Sequence, residues 1–187
     1  MENIDIYKNT IKQYAESETN YSFQTIGKDY ALVVLERILL TAKKTVRYTT
    51  DSFYGEDVER QMAFIEALCS FLAIPNSRLF IIVTNLPEDI SHKDSLNPFY
   101  RLFQHSAYRE GRIEIRHSHG GHFINNDKNM QICVADSIMY RIESDTSKCI
   151  ASCNFNDSAI SKKFETVFDS AFETILSKIE LNNIFAE

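Results

Sequence analysis

The sequence predicts one α/β domain built on a mixed, largely parallel sheet with helices on both faces. Three observations carry this expectation. Helix-period and strand-period segments alternate through the first two thirds of the chain. The run RLFIIVT at 78–84 is continuously apolar, as in a strand buried on both faces. Three strand-like runs then follow one another and lead into a long amphipathic helix. The 187 residues suffice for one well-buried domain and are short for two. With only 5 glycines and 3 prolines, long flexible linkers are not expected.

Residues 1–24 are polar and read as an arm or a short helix ahead of a domain spanning 25–187. In DYALVVLERILLTAKK, Leu32, Leu35, Ile38, Leu39 and Ala42 recur at helical spacing, and Asp29 is placed to cap the start. TVRYTT is β-branched and alternating, which predicts a strand over 45–50. A second helix is expected over 57–72 with Met62, Ile65, Leu68, Cys69 and Leu72 inward, and Pro75 and Asn76 break it. After the apolar strand and a polar loop, a third helix is expected over 98–109. RIEIR alternates as a strand, HSHGGHFINND is irregular at its glycines, and MQICVA, IMYRIE and KCIASC read as three more strands. The closing helix is expected from Ser158 to about residue 181, capped by Asp157 or Ser158. Its inward face reads as Ile160, Phe164, Val167, Phe168, Ala171, Phe172, Ile175, Leu176 and Ile179.

No run approaches the roughly eighteen apolar residues of a membrane span, and the polar start MENIDIYKNTIKQ lacks the apolar core of a signal peptide. A cytoplasmic protein with no membrane association is expected. The net charge of −6 disfavours a protein that coats nucleic acid nonspecifically, although a local basic patch is compatible with it. Cys69, Cys133, Cys149 and Cys153 form no Cys-x-x-Cys pair and read as reduced packing residues.

The stretch NMQICVADSIMYRIESDT, 129–146, carries a spacing of its own: Asn129, then Gln131, then Asp136, then Glu143-Ser144-Asp145-Thr146. This frame resembles the phospholipase D superfamily motif His-x-Lys-x₄-Asp with its later Gly-Ser-x-Asn. The helix–strand unit ending in Ala-Lys-Lys, the unit FIEALCSFLAIPNSRLFIIV and the closing CIASCNFNDSAISKKFETVFDSAF resemble the same family, so the likeness spans about 25 to 178. It implies a phospholipase D-like fold and two motif copies meeting, here across a homodimer or with a partner protein. In active members the motif His forms a phosphohistidine and the Lys meets developing phosphoryl charge. Here those positions hold Asn129 and Gln131; an amide has no nucleophilic lone pair at neutral pH, and Gln offers a dipole where a charge is needed. Asp136 and Ser144 keep the frame, and an Asp at a hairpin tip is also ordinary turn chemistry. The contiguous His92-Lys93-Asp94 lacks the catalytic spacing, and Ala151-Ser152-Cys153-Asn154 opens a register with no catalytic frame behind it.

His117-Ser118-His119-Gly120-Gly121-His122 is the one dense set of metal-capable side chains in the sequence. Its spacing resembles the His-x-His-x-Asp-His of metallo-β-lactamase-fold hydrolases, with Gly121 in the Asp position. His117, His119 and His122 suit a zinc ion, while no later His completes such a set. A solvated loop is the competing reading. Because open α/β sheets bind ligands outside strand carboxyl ends, Thr50, Ser52, His117, His119 and His122 form a candidate ligand rim. The expectation is a catalytically degenerate phospholipase D-like domain acting as a binding, regulatory or scaffold module without a resident cofactor. A phosphodiesterase or nuclease using the histidine loop, with zinc, is the alternative, and nucleic-acid binding without catalysis is a third reading.

Overall fold

The computed structural model describes residues 3–17, 19–51, 58–86, 90–118, 124–125 and 128–185. In chain order its elements are α1 (Ile4–Glu16), β1 (Phe23–Thr25), α2 (Lys28–Thr41), β2 (Thr45–Thr50), α3 (Val58–Leu72), β3 (Arg78–Val83), α4 (Pro98–Gln104), α5 (Ser106–Arg109), β4 (Ile113–His117), β5 (Ile124–Asn125), β6 (Lys128–Asn129), β7 (Gln131–Ala135), β8 (Met139–Asp145), β9 (Ile150–Asn154), α6 (Ser158–Thr174) and α7 (Leu181–Phe185). Strands β5 and β6 pair as a separate two-stranded sheet, and the other seven make one sheet in the order β1-β9-β8-β7-β2-β3-β4.

The sheet is mixed, as the sequence predicts, but it is not largely parallel: two of its six pairings are parallel and four are antiparallel. Parallel pairing joins β2 to β3 and β3 to β4, while β1, β9, β8, β7 and β2 are joined by antiparallel pairs. Following those pairings outward, β1, β2, β3, β4 and β8 run one way, and β7 and β9 run the other. One face packs under α1, α2, α3, α4 and α7 through residues such as Val46, Leu79, Ile81 and Ile115. The other face packs on α6, where Ile82, Ile132, Val134 and Ile142 meet Phe168 and Phe172. This two-sided burial explains why β3 is apolar at successive positions.

Several local expectations need correction. The N-terminal segment takes the helical one of its two expected forms, as α1, but its Ile11 lies in the main core, and β1 pairs with β9. Gly27, not Asp29, stands at the N-cap of α2, and Asp29 falls in its first turn. Helix α3 is rolled relative to the predicted face: Met62 is exposed, and Phe64 and Phe71 are buried. The expected third helix is two helices, because His105 is extended (ψ 138°) and its Nδ1 accepts the N–H of Ala107 to start α5.

The closing helix stops earlier than its apolar spacing suggests. Arg116 lies over the Phe172 ring at 4.1 Å and donates through Nη1 to the carbonyls of Phe172 and Ile175. Phe172 stands in the last turn and Ile175 is the C-cap, so Arg116 adds donors where the intrahelical ladder runs out. Beyond it the chain runs along the outer edge of β4, with His117 N–H donating to Ser177 and Ile179 N–H donating to Ile115. Leu176 therefore faces solvent at 91% exposure, and Val167 is also exposed rather than inward. Asp157 is the cap of α6, accepting from Ala159 and Ile160.

Candidate cavity at the carboxyl edge of the sheet

The carboxyl ends of β2, β3 and β4 lie abreast, since Thr50 pairs with Val83 and Val83 with His117. Two strand spacings put the Thr50 and His117 backbones roughly 10 Å apart. Strand β7 reaches the same edge with its amino end and β8 with its carboxyl end, where Gln131 pairs with Glu143. Period-2 alternation turns Tyr48 and Thr50 of β2, Gln131 of β7, and Arg141 and Glu143 of β8 toward the face that carries α2 and α3. They line a cavity of about 230 Å³ there. Helix α2 closes one side with Ala31, Leu32 and Leu35, Phe64 of α3 adds an aromatic wall, and Lys28 stands at the first turn of α2. Asp51, Thr146 and Cys149 complete the lining.

The chemistry of this cavity is set by Arg141 and Glu143. Arg141 is 2% exposed and its Nη2 donates to the Glu143 carboxylate two residues along the same strand. The two pair with each other, because the cross-strand neighbours on that face are Cys133, Cys153, Gln131 and Ala151. Arg141 Nε has no hydrogen-bond partner among the described residues. Burial works against the Arg141 charge, yet Glu143 and the surrounding groups outweigh it and its pKa stays raised. Burial pushes the Glu143 carboxyl up, against the pull of Arg141.

The neighbouring groups are held in their neutral forms. Burial raises the Tyr48 phenol to about 12 despite a hydrogen bond from Thr50. Burial likewise lifts the Cys133 and Cys153 thiols to about 12, and raises that of Cys149. Thiolate is the nucleophilic form of cysteine, so these thiols are packing groups at neutral pH.

Asp136 stands at the other end of β7. It occupies the β7–β8 turn with φ 53°, followed by Ser137 with φ 59°. Its carboxylate accepts the N–H groups of Lys43 at 2.6 Å, Lys44 at 2.8 Å and Thr45 at 2.9 Å. The acid thus ties the α2–β2 connection to the β7–β8 hairpin, at the edge of the sheet away from the cavity. Of the motif-frame positions, Gln131 lines the cavity and Asp136 does not. Ser144 is exposed on the β8–β9 side, with its Oγ 3.5 Å from the Ile150 carbonyl. Asn129 contributes backbone to β6, and its side chain lies outside the described residues.

Of the expected ligand rim, Thr50 lines the cavity and His117 ends β4, while Ser52, His119 and His122 lie outside the described residues. Among the described residues no three His, Cys, Asp or Glu side chains converge as a metal site would. Sequence reasoning missed Tyr48, Arg141 and Glu143. The available signal was an Arg and a Glu on one face of IMYRIE, in a strand whose other face is apolar and whose neighbours on both sides are strands.

Fold and cavity together define an α/β domain with a mixed seven-stranded sheet flanked by helices. No protein-family profile and no curated protein sequence matches the chain. Among solved structures, it is similar to TrmBL2, an archaeal chromatin protein described as showing a novel mode of DNA binding, with TM-score 0.59 and 12% identity over 92% of this chain and 61% of that one. It is also similar to phosphatidylserine synthase of Haemophilus influenzae, with TM-score 0.52 and 11% identity over 87% of this chain and 40% of that one. At these identities the likeness is one of fold, and the chain spans less than two thirds of either protein. Among the described residues no helix is long and apolar enough to cross a membrane.

Proposed function

We propose that this chain is a catalytically degenerate phospholipase D-like domain that binds a small ligand in the cavity at the carboxyl edge of its sheet. The observation that supports it is the buried Arg141–Glu143 pair lining that cavity beside Gln131. Burying two charges costs several kcal/mol per ion unless their remaining hydrogen-bond capacity is met. A guanidinium offers five N–H donors, and the described residues take only the one from Nη2. An occupant of the cavity would meet those that face it.

The arrangement supports binding better than phosphoryl transfer. A covalent route needs a nucleophile next to a base or with a lowered pKa, whereas Tyr48 and Cys149 here are pushed the other way. The cavity is built within one chain, so binding does not require the pairing of half-sites that the phospholipase D resemblance implies. Bis(4-nitrophenyl) phosphate offered with Mg²⁺, Mn²⁺ or Zn²⁺ is expected to hydrolyse at the background rate. A small-molecule thermal-shift screen is expected to give saturable stabilisation that is lost when Ala31→Phe fills the cavity. Metal-dependent turnover abolished by His117→Ala would instead establish the histidine-loop phosphodiesterase.

A further inference from the structure

We infer that the ligand of this cavity is a small molecule of zero net charge that carries both hydrogen-bond donors and acceptors, either uncharged or zwitterionic. The inference rests on the binding reading above and specifies what is bound. Among the described residues the ionisable lining is balanced, with Lys28 and Arg141 against Asp51 and Glu143. Arg141 is already matched by Glu143, and the phenol of Tyr48 and the thiol of Cys149 stay uncharged.

With Arg141 and Glu143 paired, a phosphate or other dianion entering this space gains Lys28 and is brought against Asp51, with no surplus cation among the described residues for its charge. A polycation meets the mirror-image conflict, gaining Asp51 and brought against Lys28. Beside the buried Arg141 and Glu143 charges are weakly screened, so a mismatch there is costly. A neutral molecule avoids both. Its acceptor takes an unspent Arg141 N–H or the Gln131 amide, and its donor meets Glu143 or Asp51. Leu32, Leu35 and Phe64 supply an apolar wall for its carbon skeleton.

The volume limits size as well as charge. About 230 Å³ equals the liquid volume of roughly eight water molecules at ~30 Å³ each. That admits a compact molecule and excludes a nucleotide or a phospholipid from full enclosure. Ligand pockets characteristically combine such apolar walls with a few placed polar groups.

The full chain would be screened by thermal shift and then by titration calorimetry against four sets of probes. The uncharged set is glycerol, D-glucose and acetamide; the zwitterions are glycine, L-glutamine and glycine betaine. The anions are inorganic phosphate, glycerol 3-phosphate and succinate, and the cation is spermidine. Saturable binding confined to the uncharged or zwitterionic sets is expected, and which of the two binds distinguishes the two sources. That binding should weaken at least tenfold in the isosteric double variant Arg141→Met/Glu143→Leu. Should that variant fail to fold, Gln131→Leu and Ala31→Phe take its place, with the same weakening expected. Binding of phosphate, succinate or spermidine in preference overturns the ligand class while leaving a binding cavity in place. Binding of a neutral probe that none of these variants weakens overturns the assignment to this cavity. No binding in any set overturns the class and the binding reading together.

Discussion

At the scale of single residues, two carboxylates of the motif region play opposite parts, and substitutions separate them. Glu143 is buried against Arg141, so Arg141→Ala leaves an uncompensated charge and is expected to cost about 3–5 kcal/mol of unfolding free energy in urea. The shape-matched Arg141→Met/Glu143→Leu pair should be close to neutral or more stable, since it removes both desolvation costs. Burial raises the Glu143 pKa in the folded state. Its contribution to stability is therefore full below the ordinary carboxylate value and lost as pH rises through the raised one. The stability deficit of Glu143→Gln should accordingly narrow as pH rises through that window, which urea titrations from acid to neutral pH will measure. Asp136 differs in kind, because its carboxylate satisfies three backbone N–H groups. Asp136→Ala should lose about 2–4 kcal/mol and Asp136→Asn about 1, from orphaned donors, with ligand affinity unchanged in both. A weaker affinity in Asp136→Asn would connect the motif frame to the cavity after all. The sequence carries the Asp136 part plainly, because a turn acid between two strands has few other uses. The Arg141–Glu143 part depends on a strand being covered on both faces, which one strand's alternation does not reveal.

At the scale of elements, the strands were the most legible and the helix ends the least. TVRYTT at 45–50 is a strand with the predicted limits, since β-branched alternation is a local property. The division between α4 and α5 depends instead on one side chain. His105 accepts the Ala107 N–H through Nδ1, which requires a ring nitrogen without a proton, and burial followed by Arg112 lowers its pKa. A lowered histidine pKa means that this contribution is present above the ordinary value and is lost as pH falls through the folded one. His105→Ala should cost about 1 kcal/mol at neutral pH by loss of the cap. His105→Asn should keep the cap, because an amide oxygen accepts the same bond, and should remove the acid dependence. Urea midpoints at about pH 7.5 and 5 test this, and an equal acid loss in His105→Asn would exclude the ring as its cause. The roll of α3 has a similar origin. Met62 satisfies the apolar spacing as well as Phe64 does, but the larger aromatic takes the buried position beside Tyr48, with ring centroids 6.0 Å apart.

At the scale of the whole molecule, the C-terminal segment decides whether the sheet is closed. The apolar spacing Phe172, Ile175, Leu176, Ile179 continues a helical pattern, so periodicity alone carries α6 too far. The chain leaves the helix at Ile175 because two demands converge there. Arg116 takes the last carbonyls of α6, and the outer edge of β4 needs a partner for its backbone groups. An uncovered strand edge is a template for pairing with another chain. Residues 177–179 cover it, and α7 then seats Leu181 and Phe185 in the main core, with the Phe185 ring 5.4 Å from Tyr100 and 5.4 Å from Phe103. Neither demand is local in sequence: Arg116 lies 56 positions from Phe172, and α7 rests on α4. Deleting 176–187 should therefore do two things at once. It should lower the urea midpoint by the loss of Ile179, Leu181 and Phe185, each contributing about 1.5–3 kcal/mol when buried. It should also expose the β4 edge and shift sedimentation toward larger species than the parent forms at the same concentration. Phe185→Ala keeps the edge covered and opens only the core, so it should lose about 3–5 kcal/mol without that shift. If the truncated chain sediments as the parent does, edge protection is not what residues 177–179 provide, and their role reduces to carrying α7 to the core.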